Sequence, residues 1–223
     1  MRPSARAGFV PLTDDFEGCL NHMYTDSIGL VTTGRGNLID PGRARNAATD
    51  PQNGSSSARA KALPWQMPDG SLAGPVTVDA AFWDVKNAWP SVQSVACARL
   101  TSIRLSRAAV DSLTLSKLDQ IWTQLVGRFP YLPTAPADAQ LGHVSMAWAM
   151  GAGFQFPHFQ AAAAQGDWNT CATECQMTRP PVPVRRNAAN RRLFTNATLA
   201  ADPDVLYYPR DLAAEAAQGR LQV

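Results

Sequence analysis

The sequence predicts an α+β fold that is mostly helical and two-lobed, with a small N-terminal β-hairpin or sheet lobe and a larger helical lobe. Three observations predict it. Residues 23–40 combine strand-favouring side chains with turn-forming glycines. From residue 105 onwards, apolar residues recur three or four positions apart, as on the buried face of a helix. The 223 residues are 45% apolar and 17% charged, which is enough for the folded core of a single domain over residues 1–223.

The N-terminal segment, residues 9–40, is expected to form a short helix followed by the sheet. Proline suits the first turn of a helix and glycine suits the position after its last residue. A helix is therefore predicted over residues 11–17, closed by Gly18. The strands that follow are expected to turn where glycine permits a positive φ angle. These turn positions are Gly29, Gly34 and Gly36.

Residues 41–102 are interpreted as an insertion. Its first part, residues 41–76, is rich in Pro, Gly, Ser, Asn and Asp, which predicts a loop or weakly ordered segment. Residues 78–95 have helical spacing of apolar side chains, and Pro90 is expected to end or kink that helix. The insertion also carries three tryptophans, which form either a small core or a surface that stacks on sugar rings or docks a partner. They are Trp65, Trp83 and Trp89.

Residues 103–200 are predicted to form the helical lobe. Ser106 suits the N-cap of its first long helix, and a proline-containing break follows at residues 129–136. Further helices are predicted over residues 138–150, 156–164, 167–177 and 185–199. The tail, residues 201–223, contains a last short helix. A polymer is expected to lie in a cleft between the two lobes.

Charge and hydropathy argue against several classes of function. The formal net charge is +2 and the pI is about 8.4, which suits a polyanionic surface such as a cell wall but is too weak to indicate nucleic-acid binding. No apolar run approaches the roughly 20 residues that span a membrane. Residues 1–8 are polar and basic without an apolar core, so no secretory signal peptide is recognisable.

Four cysteines allow three disulfide pairings, and the sequence does not choose among them. Two of them, Cys171 and Cys175, would lie one helical turn apart, which is an awkward geometry for a disulfide. We therefore expect buried free thiols at all four positions. The cysteines are Cys19, Cys97, Cys171 and Cys175.

The candidate chemistry lies in the N-terminal segment, at Glu17, Asp26 and Thr32. Two carboxyl groups and a hydroxyl that can hold water are the minimum set for hydrolysing a glycosidic bond. Each residue also has a purely structural interpretation. Glu17 fits a capping box with Asp14, Asp26 fits a turn-starting carboxylate, and Thr32 fits an ordinary strand threonine.

Other kinds of active site have weaker support. The three histidines do not have metal-ligand spacing, and a set of His158, Cys171 and Cys175 would lack a fourth zinc ligand. The chain contains neither a glycine-rich phosphate loop nor a Gly-x-Ser-x-Gly nucleophile turn. We therefore predict a protein that uses no metal and no cofactor. The histidines are His22, His143 and His158.

The spacing around the candidate residues follows a recognisable pattern. Glu17 is followed by glycine, Tyr24 precedes Asp26 by two positions, and a Gly-x-Gly hairpin follows Thr32 at Gly34. This pattern resembles the front of the phage-type lysozymes, the muramidases of glycoside hydrolase family 24.

Three later stretches are similar to that family in the same order. They are an apolar helix that ends in Trp-Ala-Met-Gly at Gly151, a Gly-Asp-Trp turn at Trp168, and an Arg-Arg-x-Ala helix that ends in Leu-Phe at Phe194. The resemblance covers about residues 9–40 and 103–197. The chain departs from the family in its long insertion and at two positions where the family usually has His and often has Glu. These positions are Asn37 and Asn190.

The resemblance implies roles for the candidate residues. Glu17 would be the general acid, kept protonated by partial burial, Asp26 the general base or charge stabiliser, and Thr32 the residue that positions water. Inversion of configuration is implied, with the two carboxyl groups roughly 6.5–9.5 Å apart. We assign substrate binding to residues of the hairpin and the helical lobe: Gly36, Asn37, Leu38, Trp148, Arg185 and Arg186. An arginine-rich solvated helix face is the structural alternative for the last two.

The expected function is that of a muramidase, which cleaves the β-1,4 bond between N-acetylmuramic acid and N-acetylglucosamine. Its partners would be peptidoglycan glycan strands and either an immunity protein or delivery machinery, with no nucleic acid and no membrane insertion. The protein would be made in the cytoplasm and act in the periplasm or cell wall, as an endolysin or a delivered effector. The alternatives are a lytic transglycosylase and a non-catalytic wall-binding module.

Overall fold

The computed structural model describes residues 1–40, 42 and 56–219, and helix accounts for 56% of it. The fold is α+β and mostly helical, with one small three-stranded antiparallel sheet, as predicted. The strands are β1 (Leu20–Thr25), β2 (Val31–Gly34) and β3 (Asn37–Leu38). The helices are α1 (Pro3–Glu17), α2 (Ala58–Lys61), α3 (Pro75–Asn87), α4 (Arg107–Arg128), α5 (Ala137–Met150), α6 (Pro157–Ala164), α7 (Trp168–Glu174), α8 (Val184–Leu199) and α9 (Leu212–Ala217).

The helices after residue 105 lie where the sequence predicts them. The Ser106 hydroxyl accepts the Ala109 N–H at 3.1 Å, so Ser106 is the N-cap of α4 as predicted. Asp167 likewise caps α7 by accepting the Thr170 N–H at 3.0 Å. Helix α7 ends at Glu174, before the predicted end at residue 177. The predicted break at residues 129–136 holds only a short 3-10 turn.

Helices α1 and α3 differ from their predicted ranges. Helix α1 begins at Pro3 rather than at residue 11, because Ala5, Phe9 and Leu12 give it a buried face that extends back from Pro11. Pro11 therefore lies inside the helix, where it has no N–H to donate. Helix α3 runs from Pro75 to Asn87 rather than over residues 78–95. The expectation that Pro90 ends this helix is confirmed, since the residue before a proline disfavours helical backbone.

The first part of the insertion is only partly described. Residue 41 and residues 43–55, which belong to the predicted loop, lie outside the described residues. The remainder of that predicted loop includes the short helix α2 and an antiparallel bridge between Gln66 and Leu72. Residues 56–76 therefore contain regular structure, which the prediction of a loop or weakly ordered segment did not include.

The chain divides into two compact units. We call Glu17–Lys117 the sheet unit, and the combination of Met1–Phe16 with Leu118–Val223 the helical unit. The sheet unit is continuous in sequence, whereas the helical unit is made of two separate stretches of the chain. The division into residues 9–40, 41–102, 103–200 and 201–223 follows from the resemblance to the lysozyme family and stays a prediction.

The sheet unit is built on a β meander with helix α3 packed against it. Antiparallel pairing places Tyr24 opposite Thr32 and Thr32 opposite Leu38, so Thr32 lies on the central strand. A β-bulge or similar irregularity interrupts β1 between Leu20 and Tyr24. The core contains side chains from the strands, from α3 and from the chain leading into α4. They include Met23, Val31, Ile39, Trp65, Phe82, Trp83, Val85, Leu105 and Val110.

A buried ion pair joins α3 to the chain just after β3. The Lys86 ammonium donates to the Asp40 carboxylate, and both side chains are almost fully buried. The ammonium also donates to the Gly42 carbonyl at 3.0 Å, and the Val31 N–H donates to Asp40 at 3.3 Å. These hydrogen bonds compensate for the cost of removing both charges from water.

The helical unit has an aromatic core centred on His143 of α5. The His143 ring lies 5.1 to 6.2 Å from the neighbouring ring centroids, and Nδ1 donates to the Ala139 carbonyl at 2.8 Å. Burial lowers the pKa of His143 to about 4, so the ring is neutral at pH 7. The surrounding rings are Phe129, Tyr131, Phe159, Trp168 and Phe194.

The C-terminal tail is fixed to the helical unit by the buried carboxylate of Asp138. This carboxylate accepts the backbone N–H groups of Tyr207 at 2.8 Å and Tyr208 at 2.9 Å, and the Asn196 amide at 3.3 Å. Burial raises the pKa of Asp138, while these hydrogen bonds oppose the change.

The cysteines are free thiols, as predicted, but they are not all buried. Cys97, Cys171 and Cys175 are buried, whereas Cys19 is half-buried. Burial raises the pKa of Cys171 to about 12 and that of Cys175 to about 11. These two thiols are therefore protonated and unreactive at neutral pH.

Candidate active site

Glu17 is the last residue of α1, and Gly18 follows it with a φ angle of +66°. A glycine in the left-handed region is the usual way to end a helix. The interpretation of Glu17 as part of a capping box is wrong, because Asp14 and Glu17 both lie at the C-terminal end of the helix rather than at its start.

The Glu17 side chain is exposed, so the predicted partial burial is also wrong. Burial along α1 ends at Thr13, one turn before Glu17. The carboxylate instead reaches the turn between β2 and β3, where a Cβ atom added to Gly36 would lie 3.9 Å from Glu17 Oε2.

Lys117 lies at the same turn and was not identified from the sequence. Its ammonium donates to the Gly36 carbonyl at 3.0 Å. Burial lowers the pKa of Lys117, and the negative charge of Glu17 acts in the opposite direction. A cation therefore lies close enough to Glu17 to interact with it. A lysine inside a helix gives no sequence signal for this position.

Asp26 organises the turn between β1 and β2. Its Oδ1 atom accepts the backbone N–H groups of Ile28 at 3.0 Å and Leu30 at 2.9 Å. The Asp26 N–H donates to the Leu30 carbonyl at 3.0 Å, which closes the loop. The interpretation as a turn-forming carboxylate is confirmed. The side chain is half-buried, and its Oδ2 atom accepts no hydrogen bond from the described residues.

Thr32 is a buried residue of the central strand, so its interpretation as a strand threonine is confirmed. Its hydroxyl donates to the Leu30 carbonyl at 3.3 Å. A hydroxyl that donates one hydrogen bond still has lone pairs that can accept another, for example from a water molecule. The role of Thr32 in positioning water stays a prediction.

The charges of both carboxyl groups act on Tyr24. Burial raises its pKa to about 12, a hydrogen bond from the Gly36 backbone lowers it, and the negative charges of Glu17 and Asp26 both raise it further. The phenol therefore lies within electrostatic reach of both carboxylates. Tyr24 also pairs with Thr32 across the sheet. Tyr24 belongs to the Tyr-x-Asp spacing, but that spacing alone does not assign a role to the tyrosine.

The predicted substrate-binding residues are divided between the two units. In the sheet unit, Leu38 is 44% exposed on β3. Asn37 is buried, and its Nδ2 atom has no hydrogen-bond partner among the described residues. Gly36, next to Glu17, has a φ angle of +74°. Of these three residues, only Gly36 and Leu38 have surface that a ligand can reach.

The other three predicted binding residues belong to the helical unit. Trp148 is a core residue, and its ring meets Phe9 edge-on at 5.0 Å. Arg186 is buried, donates to the Ser145 carbonyl at 3.2 Å and lies 4.7 Å from the ring of Phe16. The interpretation as a solvated helix face is therefore wrong for Arg186 but holds for Arg185, which is exposed. Their roles in binding stay predictions.

Two other structural findings bear on the kind of site. Among residues 1–40, 42 and 56–219, no three His, Cys, Asp or Glu side chains gather as a metal ion would require. In the same part of the chain, no helix is both long and apolar enough to cross a membrane.

Neither a protein-family model nor a curated protein matches this chain. The geometry of the sheet unit is therefore the basis for assigning a function.

Proposed function

We propose that this protein is a muramidase that hydrolyses the β-1,4 bond between N-acetylmuramic acid and N-acetylglucosamine in peptidoglycan. The observation that carries the proposal is the placement of the three residues about the β strands. The Glu17 carboxylate reaches the β2–β3 turn at Gly36, Asp26 holds the β1–β2 turn, and Thr32 lies on the central strand opposite Tyr24. Two carboxyl groups, one at the end of α1 and one in the β1–β2 turn, and a strand hydroxyl are the set that hydrolysis of a glycosidic bond requires.

The proposed reaction uses each of the three residues once. Glu17 donates a proton to the glycosidic oxygen as the leaving sugar departs. Asp26 takes a proton from the attacking water or stabilises the developing positive charge, through the oxygen that is not engaged in the turn. Thr32 accepts a hydrogen bond from that water. Attack from the face opposite to the leaving group would invert the configuration at the anomeric carbon.

The structure of the turn supports this assignment for Asp26. Two backbone N–H groups fix Oδ1, so the carboxylate is held in one orientation before substrate binds. Fixed orientation is what general acid–base catalysis gains from its protein surroundings. We extend the proposal to the fold: the sheet unit would be the small lobe of a two-lobed, lysozyme-like fold.

A non-catalytic wall-binding module is the competing function, and one observation favours it. Asp26 and Thr32 each have a structural task that would keep them in place without catalysis, as a turn former and as a strand residue. The two functions differ in whether Glu17 is chemically necessary.

Glu17→Gln tests the proposal, with Asp15→Asn as its matched control. Asp15 is an exposed carboxylate on the same helical turn and has no assigned role. We expect Glu17→Gln to slow the release of muropeptides from purified sacculi by about 10²- to 10⁴-fold, as for loss of a general acid, and Asp15→Asn to have no effect. Equal release by the Glu17 variant and the parent protein would refute catalysis by Glu17.

Mass spectrometry of the released products separates hydrolysis from the transglycosylase alternative. Hydrolysis adds one water and leaves a reducing sugar end, whereas a lytic transglycosylase forms an anhydro sugar. Anhydro products would refute the proposed role of Asp26 and Thr32 in activating water. Asp26→Asn should lower the rate of a hydrolase, because it removes the proposed base.

A further inference from the structure

The three tryptophans of the insertion have different surroundings. Trp65 and Trp83 are 1% and 7% exposed and belong to the core of the sheet unit. Trp89 is 38% exposed and lies just after the end of α3. The core interpretation therefore holds for the first two tryptophans and leaves Trp89 to be explained.

One face of the Trp89 indole packs on Gly29, in the turn that Asp26 organises. A Cβ atom added to Gly29 would lie 2.8 Å from Cδ2 of Trp89, 3.1 Å from Cε3 and 3.2 Å from Cε2. Cδ2 is a ring-fusion carbon whose in-plane positions are all bonded, so an atom that approaches it this closely lies over the ring. Gly29 also has a φ angle of +83°, so both the close approach and the backbone conformation favour glycine here.

The segment that carries Trp89 is fastened alongside β1. The Thr25 hydroxyl donates to the Val92 carbonyl at 3.4 Å, and the His22 ring lies within hydrogen-bonding distance of the Ser94 carbonyl at 3.3 Å. Thr25 immediately precedes Asp26. The indole is therefore held next to the Asp26 turn both by the ring contact on Gly29 and by this attachment.

Two apolar side chains are accessible at this turn, beside the exposed Ser27 and the half-buried Asp26. Ile28, beside Gly29 in the turn, is more than half exposed, and Trp89 adds the free part of its indole. An aromatic ring that packs on a tight turn and is still 38% exposed is well suited to stacking, because it loses little conformational freedom when a ligand binds. Pyranose rings have apolar C–H faces that pack on such a surface.

We propose that Trp89 is a sugar-stacking residue that binds a hexosamine unit of the glycan strand next to Asp26. This inference rests on the proposed function and deepens it, since it places a substrate contact in the insertion. Trp89 would act in binding and positioning rather than in the chemical step. Gly29 would be the residue that sets the orientation of the ring.

The test measures binding in the Glu17→Gln background, so that the glycan is not cut. The probes are the β-1,4-linked tetramer of N-acetylglucosamine, titrated by calorimetry, and purified insoluble sacculi, measured by co-sedimentation. Adding Trp89→Ala should weaken binding of both probes about tenfold, as expected for loss of one aromatic stacking contact. Adding Trp89→Phe, which keeps a ring, should weaken it by no more than about threefold.

Val76→Ala is the matched control. Val76 is more exposed than Trp89 and lies at the opposite end of α3, about 17 Å away along a helix of that length. Its removal should leave the affinity unchanged. Equal affinity of the Trp89→Ala variant and its parent for both probes would overturn the inference, as would failure of the parent to bind either probe.

A fluorescence measurement keeps the test decisive if Trp89→Ala does not fold. In the Glu17→Gln protein, bound tetramer should protect one exposed tryptophan from quenching by acrylamide. The protected signal should be missing in the Trp89→Phe variant. Protection that persists in that variant would assign the contact to another tryptophan and refute the inference.

The outcomes for Trp89 and for the proposed reaction are distinguishable. If Trp89→Ala weakens binding but the parent chain releases no muropeptides, the stacking residue stands and the muramidase proposal fails. If muropeptides are released as reducing sugars and Trp89→Ala binds normally, the muramidase proposal stands and the inference about Trp89 fails.

Discussion

Replacing His143 by Gln should remove a specific part of the protein's acid sensitivity. His143 is fully buried among aromatic rings, and its pKa falls from 6.5 in the unfolded chain to about 4 in the folded protein. The folded state therefore disfavours the proton that the unfolded chain binds. The contribution of neutral His143 to the free energy of unfolding is therefore complete above pH 6.5 and is lost as the pH falls towards 4.

The magnitude follows from these two pKa values. Each pKa unit corresponds to about 1.36 kcal/mol. Because the titration of His143 is incomplete at pH 4.5, we expect the free energy of unfolding to fall by about 2.5 kcal/mol between pH 7.5 and pH 4.5 on account of this residue. The Tyr131 hydroxyl lies 3.3 Å from His143 Nε2, and burial raises the pKa of Tyr131, so this phenol stays neutral over this range. Asp138 on the same helix has a raised pKa and changes stability in the opposite direction.

Urea unfolding of the parent protein and of His143→Gln at both pH values isolates this contribution. Every other titrating group is common to the two proteins, so the difference between their pH dependences belongs to residue 143. We expect the parent to lose about 2.5 kcal/mol more than the variant on acidification. If both lose the same free energy of unfolding, His143 does not carry the linkage and the reasoning from its burial is refuted.

Two further predictions concern packing. Lys86→Met leaves a buried carboxylate without its partner and should cost about 3–5 kcal/mol of unfolding free energy, whereas Lys61→Met, at a more exposed ion pair, should cost less than about 1 kcal/mol. Equal losses in urea unfolding would contradict this. Gly142→Ala places a Cβ 2.6 Å from the ring of Phe194 and should lose about 1–3 kcal/mol. Gly127→Ala, with no atom within 4 Å, should be neutral or stabilising in the same assay, so a loss there would argue against a steric cause.

The helices from α4 to α8 could be predicted because their signals are local. Ser106 and Asp167 cap helices through contacts only three residues away, and the apolar spacing recurs within a turn. The turns at Asp26 and Gly29 were found for the same reason. The start of α1 was missed because the proline at position 11 is a local signal for a helix start, whereas burial of Phe9 depends on residues far away in the sequence.

The local roles of the candidate residues could be predicted, whereas their surroundings could not. Asp26 forms a turn and Thr32 lies on a strand, as their structural interpretations expect, and catalysis by Glu17, Asp26 and Thr32 stays a prediction. The exposure of Glu17 and the contact of Lys117 with Gly36 depend on residues far apart in the chain, which local spacing does not encode. The same holds for the tryptophans, since nothing in the sequence separates buried Trp83 from exposed Trp89.

The interrupted connectivity of the helical unit has a consequence for synthesis on the ribosome. Phe9 of α1 packs against Trp148, and the whole sheet unit lies between them in sequence. The ribosome synthesises a chain from its N-terminus, and compact units fold once all their residues are available. The sheet unit can therefore fold before the partners of α1 have been translated. The buried face of α1, which includes Ala5, Phe9 and Leu12, therefore cannot complete its native packing on Trp148 until the second stretch has been translated.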